Sequence, residues 1–423
     1  MPIDRSKAPE YSIPADFDLS SPIEGQTRSG VPYYYFHTPS IDAVKIEVIG
    51  KGSRNQLSLN HLMVPSFTLQ MLQEGTRNKT DHEIGDLLDF HASEIGIHLS
   101  YTQEGINLLS TKKHIFQVLP TFLDLFQSCT FPELILEKRK KQRKLSLQLD
   151  YEKSSVRSSI LFRKALFGED HYFGAETKEA HIDVIDRSLL ENYYQNFLWN
   201  ELEIFISGNF SDSELDVLIN QLDSIPNRKT TINNSSIPPQ TSLTLVEERE
   251  DALQSSIRIG SWSIPKTHPD FQALSIFNTI LGGYFGSRLV KNIREDKGHT
   301  YGISSNLAEI GDFNYWIIGA DVAKSYRDQV LAEIKIEIQK LASDPISSEE
   351  LEIVRNYLIG QMLSRFSTPF DLVDRFKSVH FSGLDLQYYQ EKLNFLKTFT
   401  GEQIQKVGRH YFDSKDLIEV WVG

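Results

Sequence analysis

The stretch 281-LGGYFGSRLVKNIREDKGHTYGISS-305 decides how this chain is read. Gly282, Gly283 and Gly286 supply the tight turn that opens a helix. Ser287 is an acceptable N-cap. From there Leu289, Val290 and Ile293 fall at helical spacing on one face, while Lys291, Asp296 and Lys297 face elsewhere. Gly298 suits a left-handed C-cap that releases the chain into a strand from His299 to Ser305. Arg294 in the last helical turn and Tyr301 on the strand therefore project from one corner. The Gly282-Gly283-x-x-Gly286 run lacks the lysine of a phosphate loop and the βαβ context of a dinucleotide site, so it is turn chemistry.

Working outward, strand signals stand at 31–36 and 43–50, where Val44, Ile46 and Val48 alternate with Lys45 and Glu47 as in a half-buried strand pair. Helical patterns follow at 57–73 and 81–95, the latter with Ile84, Leu87, Leu88 and His91 inward, then strands at 97–111 and helices at 115–128 and 132–151. The last exposes the basic run Lys138 to Lys144, which reads as a solvated helix face. The strand NELEIFISG (Asn200 to Gly208) matches KDLIEVWVG (Lys415 to Gly423), each preceded by an aromatic-rich helix. Two copies of one domain are expected. Between them, 226–241 reads PNRKTTINNSSIPPQT, a polar stretch without helical period and hence the linker. The domains are set at 1–225 and 242–423. The second half offers strands at 255–263, 301–307 and 314–322, and helices at 269–281, 326–342, 347–364 and 369–382.

The string S-R-L-x-x-x-I-R-x-x-x-G-x-x-Y after Gly282-Gly283 resembles the C-terminal-domain signature of the pitrilysin/insulinase family of zinc peptidases and their processing-peptidase relatives. LFRKALFGEDHY (161–172) is also similar to the family, and the resemblance covers almost the whole chain. It implies an α+β fold of two homologous domains, each a mainly antiparallel sheet packed against helices and related by a pseudo-twofold. It also implies that Arg294 and Tyr301 reach toward the zinc site of another domain. There a guanidinium and a phenol can donate hydrogen bonds to a substrate carbonyl whose oxygen becomes negative as water adds.

Catalytic members carry H-x-x-E-H on a helix, two histidines binding zinc and the Glu activating water. Anchored on Met71-Leu72-Gln73-Glu74-Gly75-Thr76, which resembles the family, those five positions here are Ser66, Phe67, Thr68, Leu69 and Gln70. The third ligand should fall near Leu147, and 138–149 holds no carboxylate. No zinc or other cofactor is expected in this chain. His91, Glu94 and His98 form an H-x-x-E-x-x-x-H run, but Gly96 breaks a helix between them and the spacing is not the family's. His61 reads as a structural residue before the vacated site, His299 as an exposed neighbour of the glycine cap, and Cys129 as a buried inert thiol.

A formal charge of -13 over 423 residues argues against nucleic acid, whose phosphates would be repelled. One cysteine excludes an internal disulfide, and no run approaches the roughly 20 apolar residues of a membrane span. The polar, proline-punctuated start (1–22) has no signal-peptide core, so the chain reads as cytoplasmic. Together these features point to a non-catalytic subunit resembling the R/Y half of bacterial two-subunit peptidases. Its partner would be a homologous chain with H-x-x-E-H and zinc, and its substrates short or unfolded peptides. The rival expectation is a purely structural protein similar to the core subunits of the respiratory cytochrome complex, which share the fold.

Overall fold

The computed structural model describes residues 19–229, 242–412 and 416–423. Most of the linker stretch 226–241, the start of the N-terminal segment and Lys415 lie outside the described residues. The first sheet contains β1 (Ile23–Gln26), β2 (Pro32–His37), β3 (Ala43–Lys51), β4 (Glu94–Leu99), β5 (Gln103–Thr111) and β6 (Glu203–Gly208), in the spatial order β1-β2-β6-β3-β5-β4. The second contains β7 (Leu243–Glu247), β8 (Gln254–Trp262), β9 (Thr300–Ile310), β10 (Phe313–Ala323) and β11 (Ile418–Val422), in the order β7-β11-β8-β10-β9. With β1 set aside, the two orders correspond strand for strand. Each also has its one parallel pair in the same place, β2 with β6 and β7 with β11. Helices and mixed, mainly antiparallel sheets together make an α+β fold.

One face of each sheet packs on helices from its own half of the chain. Val44, Ile46 and Val48 on β3 are fully buried in the first core with Phe67, Leu69, Leu119 and Phe122. The second core gathers Ile257, Ile259, Phe277, Leu289, Ile293 and Trp316. The opposite faces are covered by an exchange of helices. Ser154–Phe167, from the first half, lies on β8 and β11 of the second sheet, where Phe162, Leu166 and Phe167 cluster with Ile418 and Val420. Burying each of these three side chains contributes roughly 1.5–3 kcal/mol. Ser158 and Ser256 share a hydrogen bond of 2.9 Å, and Arg258 donates to Ser159 Oγ at 3.2 Å. Gly260 gives Phe162 its seat, since a Cβ there would lie 2.7 Å from the ring.

In return, Pro369–His380 from the second half lies against the first sheet at β6. Phe376 meets Phe36, Phe205 and Tyr34, and His380 bonds Glu203 at 2.5 Å. This corrects the reading of β3 as half-buried. Glu47 was expected to face water, but the visiting helix covers it to 6 % exposure, and Lys377 meets both of its carboxylate oxygens at 2.8 Å.

Other elements shift where local chemistry overrides periodicity. The helix expected at 57–73 is Val64–Met71, preceded by 3-10 turns, because Pro65 fits only the first turn of a helix. The helix expected at 81–95 is Asp81–Phe90 with a full Thr80/Glu83 capping box; the chain then turns through Ala92 at φ +47° into β4, which contains Gly96. The basic run lies on Glu133–Glu152 and is largely neutralised, with Arg139 on Glu74, Lys140 on Glu137 and Lys144 on Asp183.

Candidate functional site

The corner carrying Arg294 and Tyr301 is built from three segments of the second half. The helix Phe271–Asn278 continues into a π-helical turn, Thr279–Gly283, pressed onto β9. Asn278 clamps the strand from both sides of its amide, donating to Ser305 O at 3.0 Å and accepting from Ser305 Oγ at 2.6 Å. Gly282 permits this approach, because a Cβ would come within 2.8 Å of Ser305 N. That contact is the physical content of the Gly282-Gly283 pair.

The following helix is not the capped α-helix expected. Residues Val290–Asp296 form a π-helical turn, with Lys297 N–H reaching back to Asn292 O at 3.2 Å. Such turns are rare and recur at functional sites. Ser287 does not cap it, and among the described residues its buried Oγ has no hydrogen-bond partner. The cap assignment was wrong because burial of Leu289 and Ile293, not capping, holds the turn in place. Two polar clamps fix its register. Arg288 makes a bidentate pair with Glu350 (2.9 and 2.8 Å), and Asn292 donates to Glu333 and Glu337 at 3.0 and 2.8 Å. Lys297 and Asn292 hold the Glu333 carboxyl below its usual range. Gly298, at φ +65°, takes the left-handed turn expected of it.

Arg294 projects from this clamped turn into solvent, with its guanidinium carbon 5.0 Å above the ring of Phe285. Tyr301 stands on β9, the edge strand of its sheet, and is 90 % exposed. It sits in a β-bulge that the sequence did not disclose. Ala320 pairs with Ile303 and Val322 with Thr300, so Tyr301 and Gly302 together oppose Asp321. Thr300 Oγ1 fastens the bulge, accepting from Gly302 N–H at 3.1 Å and lying 2.7 Å from Asp321 O. Bulges re-aim side chains at strand ends. Among the described residues, neither the Arg294 guanidinium nor the Tyr301 hydroxyl has a hydrogen bond or ion pair. Sequence reasoning missed Phe285, 66 % exposed inside the glycine turn. It also missed Thr300. An aromatic between two glycines was the available signal for the first; nothing local marks the second.

His299 is not the exposed neighbour expected. It is half-buried and stacked on Tyr326 with ring centroids 4.0 Å apart.

The positions set against the zinc motif lie on the helix Val64–Met71. Ser66 and Gln70, one turn apart where the two histidines would stand, bond each other at 3.2 Å. Leu69, at the position of the general base, is wholly buried in the first core. Thr68 bonds back to Val64 O, and Leu147 is buried. His61 is half-buried in a 3-10 turn. The structure does not bring His91, Glu94 and His98 together: His91 shares a 3.1 Å bond with His114, whereas His98 contacts Gln103 at 3.2 Å from β4. Among the described residues no three His, Cys, Asp or Glu side chains converge as a metal site. Burial raises the Cys129 thiol to about 12, and its Sγ faces the carbonyls of Leu72 and Leu125 at 3.3 Å. Among the described residues, no helix is long and apolar enough to cross a membrane.

Comparison with known proteins gives likenesses in sequence and in fold. The family described as the peptidase M16 inactive domain matches residues 185–358. A Bacillus subtilis relative named an uncharacterized zinc protease YmxG is 25% identical, over 91% of this chain and 94% of its own. A Helicobacter pylori relative named a non-peptidase homolog YmxG is 23% identical, over 93% and 91%. The crystal structure of a peptidase M16 inactive domain from Pseudomonas fluorescens has the same fold, with a TM-score of 0.83 at 19% identity over 95% of this chain and 98% of that one. Residues 185–358 thus match the peptidase M16 inactive domain, and the chain as a whole is similar to M16-type relatives and shares their fold.

Proposed function

We propose that this chain is the non-catalytic subunit of a two-subunit M16-type zinc peptidase. Its partner, a homologous chain carrying H-x-x-E-H, supplies the zinc, the water and the general base. This chain supplies Arg294 and Tyr301, which donate to the substrate carbonyl as negative charge grows on its oxygen. One observation carries the reading. Within the signature, Arg288 is consumed by Glu350, whereas Arg294 and Tyr301 are held out and exposed by a π turn and a bulge, with no hydrogen bond or ion pair among the described residues. Two donors held out without an acceptor among the described residues are suited to one that arrives from outside. Ser66, Leu69 and Gln70 leave this chain no ligand set at the family's zinc position, so catalysis requires the partner.

The test uses the chain assembled with a homologue bearing an intact zinc motif. Tyr301→Phe keeps the ring but removes a donor, and should lower turnover roughly 10²-fold. Arg294→Lys keeps the charge but loses the planar fork, and should impair substrate binding more than assembly. If both variants assemble normally and hydrolyse peptides at the wild-type rate, the pair has no part in the reaction and a structural role is the correct one.

A further inference from the structure

Two histidines from different elements of the first half meet through their ring nitrogens. His91 is the C-cap of the helix Asp81–Phe90, and His114 stands at the N-cap of the helix Ile115–Asp124, where its side chain caps nothing. Their Nδ1 atoms lie 3.1 Å apart, with the ring centres separated by 4.8 Å. The backbone that carries them is tied together. His114 N–H bonds Thr111 O at 3.0 Å, Ser93 Oγ donates to His91 O at 3.0 Å, and Ser93 shares a 2.8 Å bond with Ser110, on the strand that leads to His114.

Two neutral imidazoles that face each other through Nδ1 have two options. One can donate its N–H to the lone pair of the other, or both can turn a lone pair on one shared cation. The geometry suits the second. Rings joined end to end by a straight hydrogen bond would hold their centres farther apart than 4.8 Å. In a symmetric pair with the two observed spacings, the lines from ring centre to nitrogen converge about 2 Å beyond the nitrogens, which is the Zn–N bond length. The 3.1 Å separation also lies between the bites of a square-planar and a tetrahedral ion at that bond length, about 2.9 and 3.3 Å. Among the described residues neither Nε2 has a hydrogen-bond partner, so each can carry the ring proton while Nδ1 ligates. Both rings are half-buried, and so are held in place yet within reach of solvent.

We propose that His91 and His114 form a two-histidine chelate for a divalent transition-metal ion. Paired imidazoles suit copper, nickel and zinc, whereas magnesium and calcium prefer oxygen. Among the described residues no third His, Cys, Asp or Glu joins the pair. Water or a visiting group therefore fills the remaining positions, and the ion exchanges more readily than one in a closed structural site. The chelate belongs to the first half of the chain and uses none of Ser66, Leu69 and Gln70. It requires neither the Arg294/Tyr301 corner nor a peptidase partner.

Calorimetric titration of the untagged full chain with zinc chloride and with copper(II) chloride at neutral pH, against magnesium chloride as the control, tests the assignment. A saturable site for one ion per chain is expected, with copper bound more tightly than zinc. The copper complex should show two ligating nitrogens in its electron paramagnetic resonance spectrum. His91→Ala and His114→Ala should each weaken binding at least about 10-fold and remove one nitrogen from that spectrum, whereas His98→Gln should bind as wild type does. Should one of the two alanine variants fail to fold, as far-UV circular dichroism would show, the other decides. No saturable binding of zinc or copper, magnesium bound as tightly as zinc, or wild-type affinity in either folded alanine variant overturns the proposal and leaves the two rings as a hydrogen-bonded pair only.

Discussion

Replacing Lys377 with methionine isolates the contact by which the second half grips the first. The lysine stem packs under the sheet while its Nζ lies 2.8 Å from both oxygens of Glu47. The two side chains are 13% and 8% exposed, so water does little to screen the pair. Removing one partner of a buried ion pair costs about 3–5 kcal/mol, mostly through the charge left behind. Here Lys45, 2.9 Å from Glu47, still offers partial neutralisation, which lowers the expectation to about 2–3 kcal/mol. Glu47→Gln should cost less, because Lys377 retains Asp374 at 2.8 Å. The double variant, with no charge stranded, should recover at least about 1 kcal/mol relative to the sum of the single changes. Urea unfolding followed by tryptophan fluorescence, compared at matched denaturant slopes, measures all three. A loss below about 0.5 kcal/mol in Lys377→Met, or strict additivity in the double variant, would refute the claim that this buried pair couples the halves.

Two further expectations concern buried titratable groups. Glu104 is buried against Tyr193, whose hydroxyl lies 2.7 and 2.6 Å from its oxygens, and desolvation lifts its carboxyl to about 7. A carboxyl with a raised folded value contributes stability that is complete below its unfolded value near 4.5 and lost as pH rises through 7. Wild type should therefore lose on the order of 3 kcal/mol relative to Glu104→Gln between pH 4.5 and pH 8; parallel pH profiles for the two proteins would contradict this. Cys129, pushed up to about 12, should react with a thiol-specific disulfide reagent at pH 8 at least ~10²-fold more slowly in the folded chain than in urea, and equal rates would show that the thiolate is accessible.

Much of the sheet architecture was legible in the chain, because alternation and turn residues mark strands independently of what covers them. The match of 200–208 with 415–423 pointed to duplication, and β6 and β11 do occupy equivalent positions. What covers a face was not legible. Glu47 reads as a solvent residue on β3, and nothing near it in sequence announces a helix 330 residues away. Likewise, the helix Ser154–Phe167 was not read from the sequence, and nothing within it says on which sheet it lies. At the site, the residue types of Arg294 and Tyr301 and the left-handed Gly298 were readable from order alone. The π turn and the bulge were not, since both arise from tertiary fit: Asn278 holding Ser305, and Thr300 bridging to Asp321.

The exchanged helices also set a timetable for synthesis. The last strand of the first sheet ends at Gly208, but the helix that covers its outer face is completed roughly 170 residues later. At about 5–20 residues per second, ribosomes need roughly 10–35 s to bridge that interval. Throughout it Phe36, Ile49 and Phe205, which belong to the later core, have no apolar cover. The nascent first half is thus a client for chaperones until the second half emerges, and expressing it alone would leave that sticky face permanently uncovered.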